Sequence, residues 1–183
     1  VLGPDLLART RAEADRLLDA LPPEHLKEQK STGSMVSVYD DPFFAQLVAA
    51  PGALAALRSL GYDAPKWRSG YLIAKPPHSP ALFWHQDWWA WDEPISYSWD
   101  QPQQAFLMYY LVDTSRDNGC LRLIAGSHRR RHPLHDAVPD AHTAPLRAMA
   151  DPAHPAYQPA QGEVDVPVTA GDLVVGDARL LHA

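Results

Sequence analysis

Two short segments far apart in the chain carry side chains that can do metal chemistry. One is His85-Gln86-Asp87, which follows an apolar run, and the other is His182, which closes Gly171-Asp172-Leu173-Val174-Val175-Gly176-Asp177-Ala178-Arg179-Leu180-Leu181-His182. In an extended strand residues i and i+2 share a face, so His85 and Asp87 can both turn inward while Gln86 points away. A second imidazole from a distant strand then gathers two histidines and one carboxylate on one side of an ion, the arrangement that suits non-heme Fe(II) oxygenases. Coordination positions stay open for a bidentate co-substrate and dioxygen, which a closed four-ligand zinc site could not offer.

Such ligands need rigid elements to hold them. From Leu6 to Leu21, Leu7, Ala14, Leu17, Leu18 and Leu21 recur at helical spacing among charges, and Pro22-Pro23 ends the pattern. Asp41-Pro42 reads as a cap and first turn for a helix to about Ala49, and Pro51 opens another that Gly61 closes. Beyond Pro65 the texture changes. Residues 67–74, 81–87, 103–112, 120–125, 163–168 and 172–175 read as short strands separated by Pro, Gly and Asn signals. The expected fold is therefore mainly β with flanking helices, an α+β chain. A mostly helical part over residues 1–64 precedes a jelly-roll core over residues 65–183, all in a single domain. Residues 129–161, rich in proline and histidine, read as a long loop beside the substrate entrance. His128, His132, His135, His142 and His154 lack companion ligand spacing and read as surface or loop histidines.

Composition excludes several classes. The 183 residues are 46% apolar, enough for one substantial core, and the formal charge of -6 disfavours a nucleic-acid backbone as partner. Arg129-Arg130-Arg131 is the only basic run and reads as a solvated loop. The single Cys120 has no internal disulfide partner, no apolar stretch approaches a membrane span, and no secretory signal opens the chain, so a cytoplasmic setting is the expectation. The chain lacks an initial Met and stops one residue after His182, which leads us to expect a longer natural protein, truncated here in its core.

Four segments together carry a family resemblance: Tyr71-Leu72-Ile73-Ala74-Lys75-Pro76-Pro77, Trp84-His85-Gln86-Asp87, Asp117-Asn118-Gly119-Cys120-Leu121-Arg122-Leu123-Ile124-Ala125-Gly126-Ser127-His128, and the Gly171 to His182 segment. In order and spacing, from about Trp67 onward, the chain resembles the phytanoyl-CoA dioxygenase family of Fe(II)- and 2-oxoglutarate-dependent oxygenases. The resemblance implies a double-stranded β-helix with a cupin-like jelly-roll core. It implies iron held by His85, Asp87 and His182, with 2-oxoglutarate and O2 as co-substrates. Tyr71 and Met108 fall where family members line the 2-oxoglutarate pocket, although ordinary core packing explains such residues equally well. Asn118-Gly119 is expected to make a turn between strands. Two departures stand out. Ala125 replaces the usual Pro before Gly126-Ser127-His128, and no Arg follows His182 to pair with the far carboxylate of 2-oxoglutarate.

The expected reaction is hydroxylation of an unactivated C–H of a small molecule, with release of succinate and CO2. Related halogenases carry a small residue at the carboxylate position, and Asp87 leaves no such vacancy for halide. Desaturation, ring closure and epimerisation begin from the same hydrogen abstraction and stay open, as do the substrate and the oligomeric state. Five of the six tryptophans, Trp84, Trp88, Trp89, Trp91 and Trp99, flank the first ligand strand. Trp88, Trp89 and Trp91 are the candidates for a substrate wall, and core packing is the competing reading for Trp84 and Trp89. Lys75, Arg122 and Arg179 read as solvated or strand-face charges. A non-catalytic metal- or ligand-binding jelly-roll module, or an inactive fragment, is the rival reading. A zinc hydrolase is weaker still, because no motif places a general base.

Overall fold

The computed structural model describes residues 1–27, 33–88, 90, 93–138 and 151–183. Its N-terminal third is mostly helical among the described residues: α1 (Pro4–Asp19), α2 (Pro23–Lys27), α3 (Pro42–Val48) and α4 (Pro51–Ser59), with a short strand, β1 (Ser34–Ser37), between α2 and α3. Helix α1 begins two residues earlier than its apolar pattern, because Pro4 in the first turn sets the backbone for a helix. Helix α3 starts as its sequence indicates, with Asp41 Oδ1 accepting from the Phe43 N–H at 2.8 Å. After α4 the chain turns at Gly61, whose φ of 88° is open to glycine at little cost.

The remaining elements are β2 (Tyr71–Ala74), α5 (Pro94–Ser98), β3 (Ala105–Tyr109), β4 (Leu121–Ile124), α6 (Pro133–Ala137), β5 (Glu163–Val166) and β6 (Leu173–Asp177). Among the described residues they form three two-stranded antiparallel sheets, β1-β2, β3-β6 and β4-β5. The jelly-roll core expected from the sequence is not seen as a closed barrel among the described residues. The expected strand over 81–87 is also absent as a strand, and only His85 in it makes a bridge. Pro77 and Pro80, which lack the N–H a ladder needs, stand just before it. The expected strand 103–112 shortens to β3. Strand β1 was not expected at all; it exists because Val36 pairs opposite Leu72 and both bury against the helices.

A longer ladder emerges around the end of the sequence. His85 and His182 exchange both backbone hydrogen bonds at 2.9 Å, and Arg122 and Ala183 do the same at 2.9 and 3.0 Å. Residues 181–183 thus lie between the His85 segment and β4, which in turn pairs with β5. The turn before β4 contains Gly119 with φ of 84°, after a 3-10 turn at Arg116–Asn118, as the Asn118-Gly119 signal implies.

Two apolar clusters clothe this framework. Leu2, Ala14, Val38, Phe44, Leu47 and Leu72 form one, joined by Val36, Tyr109 and Leu111, so the helices cover one face of both β1-β2 and β3. The second gathers Phe83, Trp84, Ile124, Leu134, Val138, Ala156 and Leu181. Here the long loop expected over 129–161 carries elements of its own among the described residues, because α6 and a 3-10 turn at Pro155–Tyr157 dock on this cluster through Leu134 and Ala156. Residues 139–150, with His142, lie outside the described residues. No described helix is long and apolar enough to cross a membrane.

Candidate metal centre

Strand alternation separates the two faces of the 85/181–183/β4 ladder. Leu181 and Ile124, hydrogen-bonded through their backbones, turn toward the second apolar cluster, and His182 therefore turns the opposite way with its bridge partners His85 and Leu123. Asp87 follows two residues beyond His85. One ligand atom from each of His85, Asp87 and His182 lies within 4.8 Å of the others. His85 Nε2 is 3.8 Å from Asp87 Oδ1, and His182 Nε2 is 3.9 Å from Asp87 Oδ2. The structure thus brings together all three residues that the sequence nominated.

The donor set fits a divalent transition metal. His85 Nδ1 lies 3.0 Å from the Phe83 carbonyl and His182 Nδ1 lies 2.9 Å from the Leu180 carbonyl. A carbonyl can only accept, so each Nδ1 carries the proton and each Nε2 lone pair is left to face the metal. Neighbouring ligands at bonds of about 2.1 Å sit roughly 3 Å apart, so an ion would draw the three donors inward by about 1 Å. The imidazoles also pack in a row of tilted and edge-on rings. Ring centroids run Phe83 to His85 at 5.3 Å, His85 to His182 at 4.2 Å and His182 to Phe106 at 4.9 Å.

Gln86 points away from the ligands, as alternation requires, and is 5% exposed. Its amide nitrogen donates to the Arg179 carbonyl and lies 2.8 Å from His135 Nε2. An amide nitrogen has no lone pair to accept with, so His135 Nε2 is the acceptor, while Nδ1 faces the His132 backbone, 2.8 Å from its N–H and 3.1 Å from its carbonyl. His135 is 2% exposed, which corrects its reading as a surface histidine, and burial pushes its pKa down. Arg179 is a second correction. Far from being solvated, it is 4% exposed, forks onto Asp177 at 2.7 to 3.2 Å, and donates to the Ser96 carbonyl and, at 3.0 Å, to the Trp99 carbonyl. It ties α5 to the ligand-bearing segment. Arg122 stacks on the Trp84 ring at 5.0 Å, and Lys75 donates to the Pro80 carbonyl at 2.6 Å.

The other nominated residues are less gathered. Met108 shares a face of β3 with Phe106, the face that meets His182, while Tyr109, next along the strand and on the other face, packs with the helices. Tyr71 lies on β2 opposite Ser37, half-exposed, on the face away from buried Leu72. Trp84 is fully buried in the core, with its indole N–H donating to the Gln158 carbonyl at 2.9 Å. Trp88 is half-buried; its backbone N–H donates to the Ala178 carbonyl, and its indole N–H to Ser96 Oγ at 2.7 Å. Trp89 and Trp91 lie outside the described residues. A shallow pocket of about 350 Å³, lined by His132, Leu134, Pro155 and Pro159 among others, opens on the docked α6 side and includes none of the ligands. Sequence reasoning missed Phe106, Gln86, His135 and Gly176; only the last left a signal, a glycine inside an apolar strand.

Comparison with known proteins gives a consistent picture. The phytanoyl-CoA dioxygenase family model matches residues 1–183. Among solved structures, AviO1 from Streptomyces viridochromogenes Tue57 is similar at 27% identity and a TM-score of 0.59, over 100% of this chain and 77% of that one. SnoN, a non-heme alpha ketoglutarate dependent epimerase from nogalamycin biosynthesis, is similar at 22% identity and a TM-score of 0.59, over 99% of this chain and 67% of that one, a likeness of fold. No curated protein matches by sequence.

Proposed function

The chain belongs to the phytanoyl-CoA dioxygenase family, non-heme enzymes that use Fe(II), 2-oxoglutarate and O2 on small molecules, and we propose that it hydroxylates an unactivated C–H of such a substrate. The observation that carries this reading is the convergence of His85, Asp87 and His182, with both Nδ1 protons anchored on backbone carbonyls. When bound there, iron supplies dioxygen activation coupled to oxidative decarboxylation of 2-oxoglutarate to succinate and CO2.

The chain's own residues position and shield. His85 and His182 would hold iron through Nε2, and Asp87 offers a carboxylate that is a third exposed, at the solvent side where a substrate would approach. Asp87 also occupies the position a halide would need, which argues for hydroxylation over halogenation. Met108 and Tyr71, on faces turned away from the helical cover, would line the co-substrate pocket, and Trp88 would stand with α5 at the substrate side. No side-chain acid or base is required for chemistry that the metal supplies.

The test is an anaerobic titration of the metal-free protein with Fe(II) and 2-oxoglutarate. The visible charge-transfer band of bidentate keto-acid chelation, followed on air by succinate release, is the expected result. Metal binding with neither band nor succinate would instead leave a metal-binding module.

A further inference from the structure

Gly176 sits inside β6 directly opposite Phe106 on β3. A β-carbon built on it would overlap the outer end of the Phe106 ring at Cζ, Cε1 and Cε2, so the ring rests on bare backbone that only glycine provides. Glycine inside a strand costs roughly 0.5–1 kcal/mol relative to alanine, and an aromatic ring laid across it recovers part of that loss. The same ring meets the imidazole of His182, with centroids 4.9 Å apart and planes tilted by 35°. His182 is held elsewhere at its backbone, by the exchange with His85, and at Nδ1, by the Leu180 carbonyl. The tilt of its ring is the freedom that these bonds leave, and Phe106 and His85 are the rings that bound it.

We infer that Phe106, seated on Gly176, is a positioning residue that sets the tilt of the His182 imidazole and so aims Nε2 at the metal. The inference rests on the reading of His85, Asp87 and His182 as the metal centre. A methyl at position 176 displaces the ring, and the ring moves against the imidazole it already touches. Partners outside the ligand set that orient a ligating histidine commonly change metal affinity by about 10–100-fold when altered.

The experiment is a Co(II) titration, read by its visible bands, on metal-free wild type, Gly176→Ala, Phe106→Leu and the double variant, with thermal unfolding of each metal-free protein alongside. Gly176→Ala is expected to bind Co(II) about tenfold or more weakly, and the double variant to return to within about threefold of Phe106→Leu, because leucine lacks the ring atoms that meet the new methyl. A rescue of affinity that does not follow thermal stability marks positioning rather than packing. Unchanged affinity in Gly176→Ala, or a double variant about tenfold or more weaker than Phe106→Leu, would overturn the inference. Should Gly176→Ala fail to fold, a shifted Co(II) spectrum in folded Phe106→Leu supports it and an unshifted one refutes it. Wild type that binds no Co(II) would instead bring down the metal-centre reading, and this inference with it.

Discussion

Gln86→Met is the most exposing single change for the scaffold behind the ligands. Methionine matches glutamine in length, so packing is nearly kept, but both donations from the amide disappear. The Arg179 carbonyl and His135 Nε2 then lie buried without the donor that Gln86 supplies to each. A buried acceptor left unsatisfied costs about 1–3 kcal/mol, so the pair should lose about 2–5 kcal/mol. For a chain of 183 residues, at about 2–4 °C per kcal/mol, that is a fall in Tm of roughly 5–15 °C. Urea unfolding of the metal-free protein at pH 8, followed by tryptophan fluorescence, reads it without interference from iron. The double change Gln86→Met with His135→Leu should cost less than the sum of the singles, by about 1 kcal/mol or more, since removing both partners leaves no orphan between them. A loss under about 0.5 kcal/mol for Gln86→Met, or strict additivity in the cycle, would refute the reasoning that this amide latches the ligand segment to α6.

Three further outcomes follow from the same geometry. Asp87→Ala should abolish the Fe(II)–2-oxoglutarate band and weaken Co(II) binding by at least about 100-fold while the metal-free protein keeps its Tm, checked by titration and calorimetry. Burial holds His135 and His128 below the usual histidine range, so below the unfolded value of about 6.5 the unfolded chain takes up protons that the folded chain resists. Their contribution is complete above that pH and is lost as pH falls through the folded values; the urea midpoint of metal-free protein should drop between pH 8 and pH 5.5, and drop less in His135→Asn. Asp41→Ala removes the acceptor for the Phe43 N–H and should cost about 1 kcal/mol in the same unfolding assay.

The candidate metal centre was legible because two of its proposed ligands are two residues apart, a spacing that puts them on one face whether the segment forms a full strand or only a bridge. Helices α3 and α4 were legible for a similar reason: Asp41-Pro42 and Pro51 act through local backbone geometry. What escaped was set by tertiary neighbours. Ser34–Ser37 carries too few apolar residues to announce a strand, and becomes one only because Leu72 stands opposite Val36. His135 and Arg179 look like solvated polar residues in sequence, yet each is buried by a partner distant along the chain, Gln86 for one and the α5 carbonyls for the other. The proline-rich stretch after Arg129 hid α6, whose N-terminal His132 accepts from the Leu134 N–H at 3.2 Å in place of the usual Ser or Asp cap.

The placement of residues 181–183 between the His85 segment and β4 also bears on when the protein can acquire its ion. Until those residues dock, His85 and Asp87 offer only two donors, and the third is separated from them by most of the β-rich sequence. Closing so long a loop is entropically costly and belongs to the slow, non-local part of folding. A partly folded chain would therefore hold iron weakly. With His85, Asp87 and His182 as the ligands, loading would become a checkpoint of completed folding, and oxygen-reactive metal would be kept off intermediates whose side chains it could oxidise.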